Sequence, residues 1–74
     1  MRFLERHNCH LCEDAWAILG TVTTTERVER VDIDTDDDLV VDYGLRIPVL
    51  LADDDTVLAE GVFEPASLRD ALGT

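Results

Sequence analysis

Seventy-four residues with 46% hydrophobic content suffice for one small core and not for two, and the composition is that of a globular chain rather than a disordered one. Seventeen Asp and Glu stand against six Arg with no Lys, a formal net charge of −11 that repels nucleic acid and anionic membrane and favours a neutral or basic partner. No run reaches the ~18 apolar residues of a membrane span, and Arg2, Glu5 and Arg6 break any apolar leader, so the expectation is a cytoplasmic monomer.

Phe3 and Leu4, set between charges, predict a short strand over 1–6, and His7 to Cys12 breaks the alternation. Leu11, Ala15, Ile18, Leu19 and Val22 then recur at three- and four-residue steps, with Glu13 and Asp14 near the start where acidic charge suits the helix dipole. This helix is expected to stop at Gly20, followed by a β-branched connector over Thr21 to Thr25. Arg27 to Asp34, carrying Val28, Val31 and Ile33, predicts a second strand of imperfect alternation.

Thr35 or Asp36 is suited to cap a short helix through Leu39, Val40 and Tyr43, with Gly44 as a left-handed stop. Leu45 to Ala52 is an apolar run with Pro48 near its beginning and reads as a buried strand. Asp53 to Asp55 forms a turn, Thr56 to Gly61 pairs back as a hairpin strand, and Pro65 opens a helix carrying Leu68, Ala71 and Leu72. The order is βαβαββα, an α/β domain over 1–74 without repeats or linkers. Trp16 and Tyr43 are read as packing residues, and Asp34 to Asp38, lacking the loop glycine of a calcium site, as a solvated cap.

Cys9 and Cys12 carry the chemistry. A C-x-x-C at a helix start places Cys9 where unpaired backbone N–H groups and the dipole stabilise a thiolate, and Cys12 one turn on can resolve a mixed disulfide. His10 and His7 add positive character when protonated, against Glu13 and Asp14. Two other readings of the pair stay open, a metal site with His7 and His10 and inert packing of two small hydrophobes. Four ligands within six residues close a tetrahedral zinc site only with difficulty.

A strand, then Cys9-His10-Leu11-Cys12 opening a helix, and later Ile47-Pro48 leading a strand, resembles the glutaredoxin-like branch of the thioredoxin superfamily. Cys12-Glu13-Asp14-Ala15 is similar to the small glutaredoxin-like proteins with a C-x-L-C motif. The resemblance implies a thioredoxin fold, with a four-stranded mixed sheet flanked by helices, a cis peptide at Pro48 and substrate contact through Ile47. It implies a thiol–disulfide oxidoreductase in which Cys9 attacks and Cys12 resolves, acting on a disulfide-containing protein or small thiol. No bound cofactor is then needed beyond glutathione or another thiol reductant.

His10, Leu11, Arg46, Ile47, Pro48 and Gly61 are the residues expected to face substrate, Arg46 as a guanidinium for an anionic thiol tripeptide. The chain departs from the resemblance in having no Trp before Cys9, no Gly-Pro between the cysteines, Arg46-Ile47 before the proline, and Glu60-Gly61 in place of a Gly-Gly turn. The rivals to catalysis are a docking module of the same fold and a metal or iron–sulfur site shared by two copies.

Overall fold

Phe3 and Leu4 are adjacent and both fully buried, which a strand achieves only when both faces of its sheet are covered. The computed structural model describes residues 1–73. Its elements are β1 (Arg2–Glu5), α1 (His10–Val22), β2 (Glu29–Asp32), α2 (Asp37–Tyr43), β3 (Val49–Leu51), β4 (Val57–Glu60) and α3 (Pro65–Leu72), with a 3-10 turn at Ile33–Thr35. The strands lie in the order β2-β1-β3-β4. β1 runs parallel to β2 and antiparallel to β3, and β3 runs antiparallel to β4. The expected mixed four-stranded sheet flanked by helices is therefore present.

Alternation along the strands sorts the core into two layers. Phe3 and its register partner Leu50 face Ala15 and Leu19 of α1 and Leu68 of α3, with Phe63 in the same layer. The Phe3 ring lies 5.1 Å from Trp16 at a tilt and 5.9 Å from Phe63 edge to face, arrangements that suit the aromatic quadrupoles. Leu4, Val49 and Leu51 face the other way onto Ile33, Leu39, Val40 and Tyr43. The parallel step from β1 to β2 needs a crossover, and α1 supplies it.

Register also decides what meets at one end of the sheet. Glu5 pairs with Asp32, Leu4 with Val49, and Val49 with Glu60. The last residues of β1, β2 and β4 therefore lie beside the first residue of β3, at the end from which the chain leaves β1 for the cysteines.

Several expected boundaries move. The helix α1 does not stop at Gly20 but continues to Val22, with Thr23 as its cap donating its N–H to the Leu19 carbonyl. Val22 packs on the core and Thr21 Oγ1 donates to the Ile18 carbonyl at 2.7 Å, so burial and local bonding carry the last turn past the glycine. Of the two caps offered for α2, Asp36 serves, its carboxylate accepting from the Asp38 N–H at 2.9 Å.

Gly44 is not left-handed: it sits at φ −54, ψ −32, and an added Cβ would lie 2.5 Å from the Val40 carbonyl oxygen. Close backbone approach, not positive φ, is what requires glycine there. The strand expected over Leu45 to Ala52 shrinks to Val49–Leu51, and Leu45 is fully exposed. The Tyr43 carbonyl accepts from the N–H groups of both Arg46 and Ile47, so these residues continue the helix end as a turn. Ile33, expected in the second strand, begins the 3-10 turn with its side chain still buried. Among the described residues no helix is long and apolar enough to cross a membrane.

The two glycines give opposite expectations. Gly20 lies in the helix with nothing within 4 Å of an added Cβ, so Gly20→Ala should raise stability by about 0.5–1 kcal/mol. Gly44→Ala should lower it by about 1–3 kcal/mol through the backbone contact at Val40. Urea unfolding of the two variants beside the parent checks both signs. The same measurement should show Leu19→Ala costing about 2–5 kcal/mol, because Leu19 is fully buried, and the 82% exposed Val41→Ala close to nothing.

Candidate active site

The chain leaves β1 at Glu5 and must reverse to enter α1, and Asn8 makes the reversal at φ 57, a left-handed conformation that asparagine tolerates better than most residues. Arg6 anchors the turn, its Nε lying 3.1 Å from both carboxylate oxygens of Asp34 and a terminal nitrogen 2.8 Å from Oδ1. Cys9 then occupies the N-cap. Its Sγ accepts the Cys12 N–H at 3.1 Å, where a serine oxygen would ordinarily serve, and its carbonyl accepts the Glu13 N–H at 3.1 Å.

Cys9 and Cys12 are joined as a disulfide, their Cα atoms 5.2 Å apart, inside the range that a bridge spans. The two sulfurs are not equivalent toward solvent. Cys12 is 1% exposed, whereas Cys9 is only half-buried at the helix tip.

A depression of about 340 Å³ opens beside the pair, lined by the loop from Arg6 to Cys9, by Cys12 and Glu13 of α1, and by Glu5, Arg30 and Asp32 of β1 and β2. Arg30 is held on two fronts. Its guanidinium meets the Glu5 carboxylate at 2.7 and 2.8 Å and lies 4.3 Å from the centroid of the Trp16 ring. The hydrogen bonds that Arg30 donates to the Glu5 carboxylate hold its pKa above the ordinary value, against partial desolvation. His7 Nε2 lies 3.3 Å from Asp32, and His10 Nδ1 lies 3.8 Å from Glu13, with both imidazoles largely exposed.

The two catalytic candidates, Cys9 and Cys12, line the depression, whereas none of the residues expected to face substrate does: His10 and Leu11 are exposed on the first turn of α1, and Arg46, Ile47, Pro48 and Gly61 lie outside its lining. The Ile47–Pro48 peptide is cis. Pro48 is buried, and its carbonyl accepts the Gly61 N–H at 2.8 Å, with Gly61 at φ 72. This tie holds the end of β4 against the start of β3. Ile47 packs with Leu4, Val49 and Leu51.

Arg46 is committed to Glu60 through bonds of 2.8 and 3.2 Å and rests 5.2 Å from the Tyr43 ring centroid. The hydrogen bond from Arg46 keeps the Glu60 carboxyl below the usual carboxylate range, and Glu60 in turn raises Arg46. The guanidinium expected for an anionic ligand thus already holds a carboxylate.

Sequence reasoning missed Glu5, Arg30 and Asp32 as neighbours of the cysteines. They reach the site only through the pairing of Phe3 with Arg30 and Glu5 with Asp32, a register that no local pattern announces. The one signal available was Arg30 itself, a long cation inside a strand of otherwise acidic surroundings. Among the described residues no group of three His, Cys, Asp or Glu gathers as a metal site.

Comparison with known proteins agrees with this geometry. A search of curated proteins returned no match. The X-ray structure of a protein from X. campestris, Northeast Structural Genomics target XcR50, superposes with a TM-score of 0.86 at 32% sequence identity, covering 97% of this chain and 93% of that one. The family model of the glutaredoxin-like domain (DUF836) matches residues 1–72, from β1 through the whole of α3. With its mixed sheet of thioredoxin-like fold and its cysteine pair at the tip of α1, the chain belongs to the glutaredoxin-like domain family (DUF836).

Proposed function

We propose that the protein is a thiol–disulfide oxidoreductase that uses Cys9 as nucleophile and Cys12 as resolving thiol in a reducing, cytoplasmic setting. The observation that carries this reading is the disulfide at the N-terminus of α1 between a half-buried Cys9 and a buried Cys12. Attack on a substrate disulfide requires an approach along the S–S axis, for which the half-buried Cys9 at the helix tip is better placed than the buried Cys12. Resolution requires the second thiol to wait within reach but out of solvent.

The backbone supports the chemistry at Cys9. The Cys12 N–H that meets Sγ is one of the first-turn donors without an intrahelical acceptor, and it favours negative charge on a reduced Cys9 sulfur. The Cys9 thiolate attacks one sulfur of the substrate, expels the other as a thiolate and forms a mixed disulfide. The Cys12 thiol passes its proton to the substrate thiolate released in the first step, attacks the Cys9 sulfur and expels the second substrate thiolate, which takes a proton from solvent. Two electrons pass from the dithiol to the substrate, and an external thiol restores the pair. No bound cofactor takes part in this sequence. On this reading Ile47, before the cis Pro48, contacts the substrate backbone, and Pro48 and Gly61, tied together at the same end of the sheet, shape the groove.

Intact mass of the reduced protein, equilibrated in a graded series of 2-mercaptoethanol and its oxidised form, hydroxyethyl disulfide, should show the loss of two hydrogens at one midpoint. Cys12→Ala, chosen because the site is buried, should accumulate a stable adduct with hydroxyethyl disulfide, and Cys9→Ser should form none. Two thiols that remain free across the whole series would overturn the assignment.

A further inference from the structure

We propose that this site, granted the exchange chemistry above, selects disulfides carried in positively charged polypeptide segments and discriminates against anionic disulfides such as oxidised glutathione. Each arginine at this end of the sheet already holds a carboxylate: Arg30 holds Glu5, Arg6 holds Asp34 and Arg46 holds Glu60. Within the depression that leaves Glu13 and Asp32, whose facing partners His10 and His7 count as neutral in the formal charge of −11.

The acidity continues past the depression. β2 ends at Asp32, and the chain continues from this same end of the sheet, past the Asp34 held by Arg6, to Asp36, Asp37 and Asp38. A cationic segment approaching Cys9 is therefore attracted by several carboxylates at once, and an anionic one meets no uncommitted guanidinium beside the cysteines.

Exposed apolar side chains at the same end of the fold favour a polypeptide over a small amine. Leu11 is 48% exposed between the two cysteines, Val62 is 67% exposed just after Gly61, and Leu45 is fully exposed before the cis peptide. Lying outside the depression, these side chains offer apolar contact to a segment that extends beyond the disulfide, as a peptide with basic and apolar residues would.

The discriminating step is the first attack. The Cys9 thiolate, the arriving disulfide and the departing thiolate share one transition state that already carries negative charge, and an anionic substrate adds to it. Substrate is reduced by two electrons to two thiols while Cys9 and Cys12 close to the disulfide, so a single turnover needs no further reductant.

The test uses protein reduced by dithiothreitol and freed of it, mixed with two short disulfide peptides that differ only in Lys or Glu beside the cystine. Oxidised glutathione and the neutral hydroxyethyl disulfide complete the set, and intact mass after acid quench follows each single turnover. At low ionic strength the Lys peptide should react about tenfold or more faster than the Glu peptide. The ratio should collapse toward unity at 1 M salt, where the Debye length is about 3 Å.

Glu13→Lys should lower the ratio about threefold or more, and Glu60→Gln, which releases Arg46, should lower it in the same direction. Both sites are exposed, and the ratio within one variant cancels any change in Cys9 nucleophilicity. A ratio near one at low salt, a preference for the Glu peptide, or a Lys preference indifferent to salt would overturn the inference while leaving exchange intact. Failure with every disulfide, hydroxyethyl disulfide included, would instead overturn the exchange reading on which it rests.

Discussion

The pairing of β1 with both β2 and β3 is the constraint on which the rest of this protein depends. Four residues, Arg2 to Glu5, sit second in the sheet with a parallel neighbour on one side and an antiparallel one on the other. Phe3 and Leu4 bury completely on opposite faces, so the same short strand nucleates both layers of the core. A shift of one residue would exchange those faces and expose Glu5 or Arg2 to one of them. It would also uncouple Glu5 from Arg30 and move the cysteine loop relative to the start of β3. Fold and site are therefore fixed by one register, which suits a chain too small to build a separate scaffold for function.

Much of this was legible because period and punctuation coincide with burial. Leu11 to Val22 follow a helical repeat, and Phe3-Leu4 and Val49-Leu50-Leu51 are apolar pairs or runs that only a sheet covered on both faces can hide. The cysteine spacing gave the site, and the resemblance gave the cis peptide before Pro48, which spacing alone does not reveal. Glycine misled twice for one reason. A sequence shows that a glycine is present and not why, and Gly20 sits in open helix whereas Gly44 answers a carbonyl at van der Waals conflict with any side chain. Leu45 misled by hydropathy, since its turn is set by hydrogen bonds to the Tyr43 carbonyl rather than by burial.

What the sequence concealed is the partnering of charge. Six arginines among seventeen acids suggest cations in short supply, but not which are spent. Arg46 lies two residues before the cis proline and fourteen before Glu60, and only the antiparallel return of β4 brings the carboxylate to it. Arg30 and Glu5 are twenty-five residues apart and meet across a parallel pair. Such exposed pairs add little to stability, because solvent screens their attraction and holding two long side chains in one geometry costs entropy. Their larger consequence is to cancel the positive charge that would otherwise surround the cysteines.

Two fields thus act on the cysteine pair, and distance separates their roles. The Cys12 N–H meets the Cys9 sulfur at 3.1 Å, a contact that salt does not screen and that bears on the thiolate itself. The surrounding carboxylates act through solvent, where the Debye length near physiological ionic strength is about 8 Å, and their sum bears on whatever approaches. A helix tip that stabilises negative sulfur would, on a neutral surface, attract anionic thiols as readily as any other. Placed on an acidic surface with the arginines around it already paired, the same tip keeps its short-range chemistry while, on the proposed selectivity, the long-range field disfavours those anions. Reactivity and selectivity are in this way assigned to different length scales, and each can change by substitution without undoing the other.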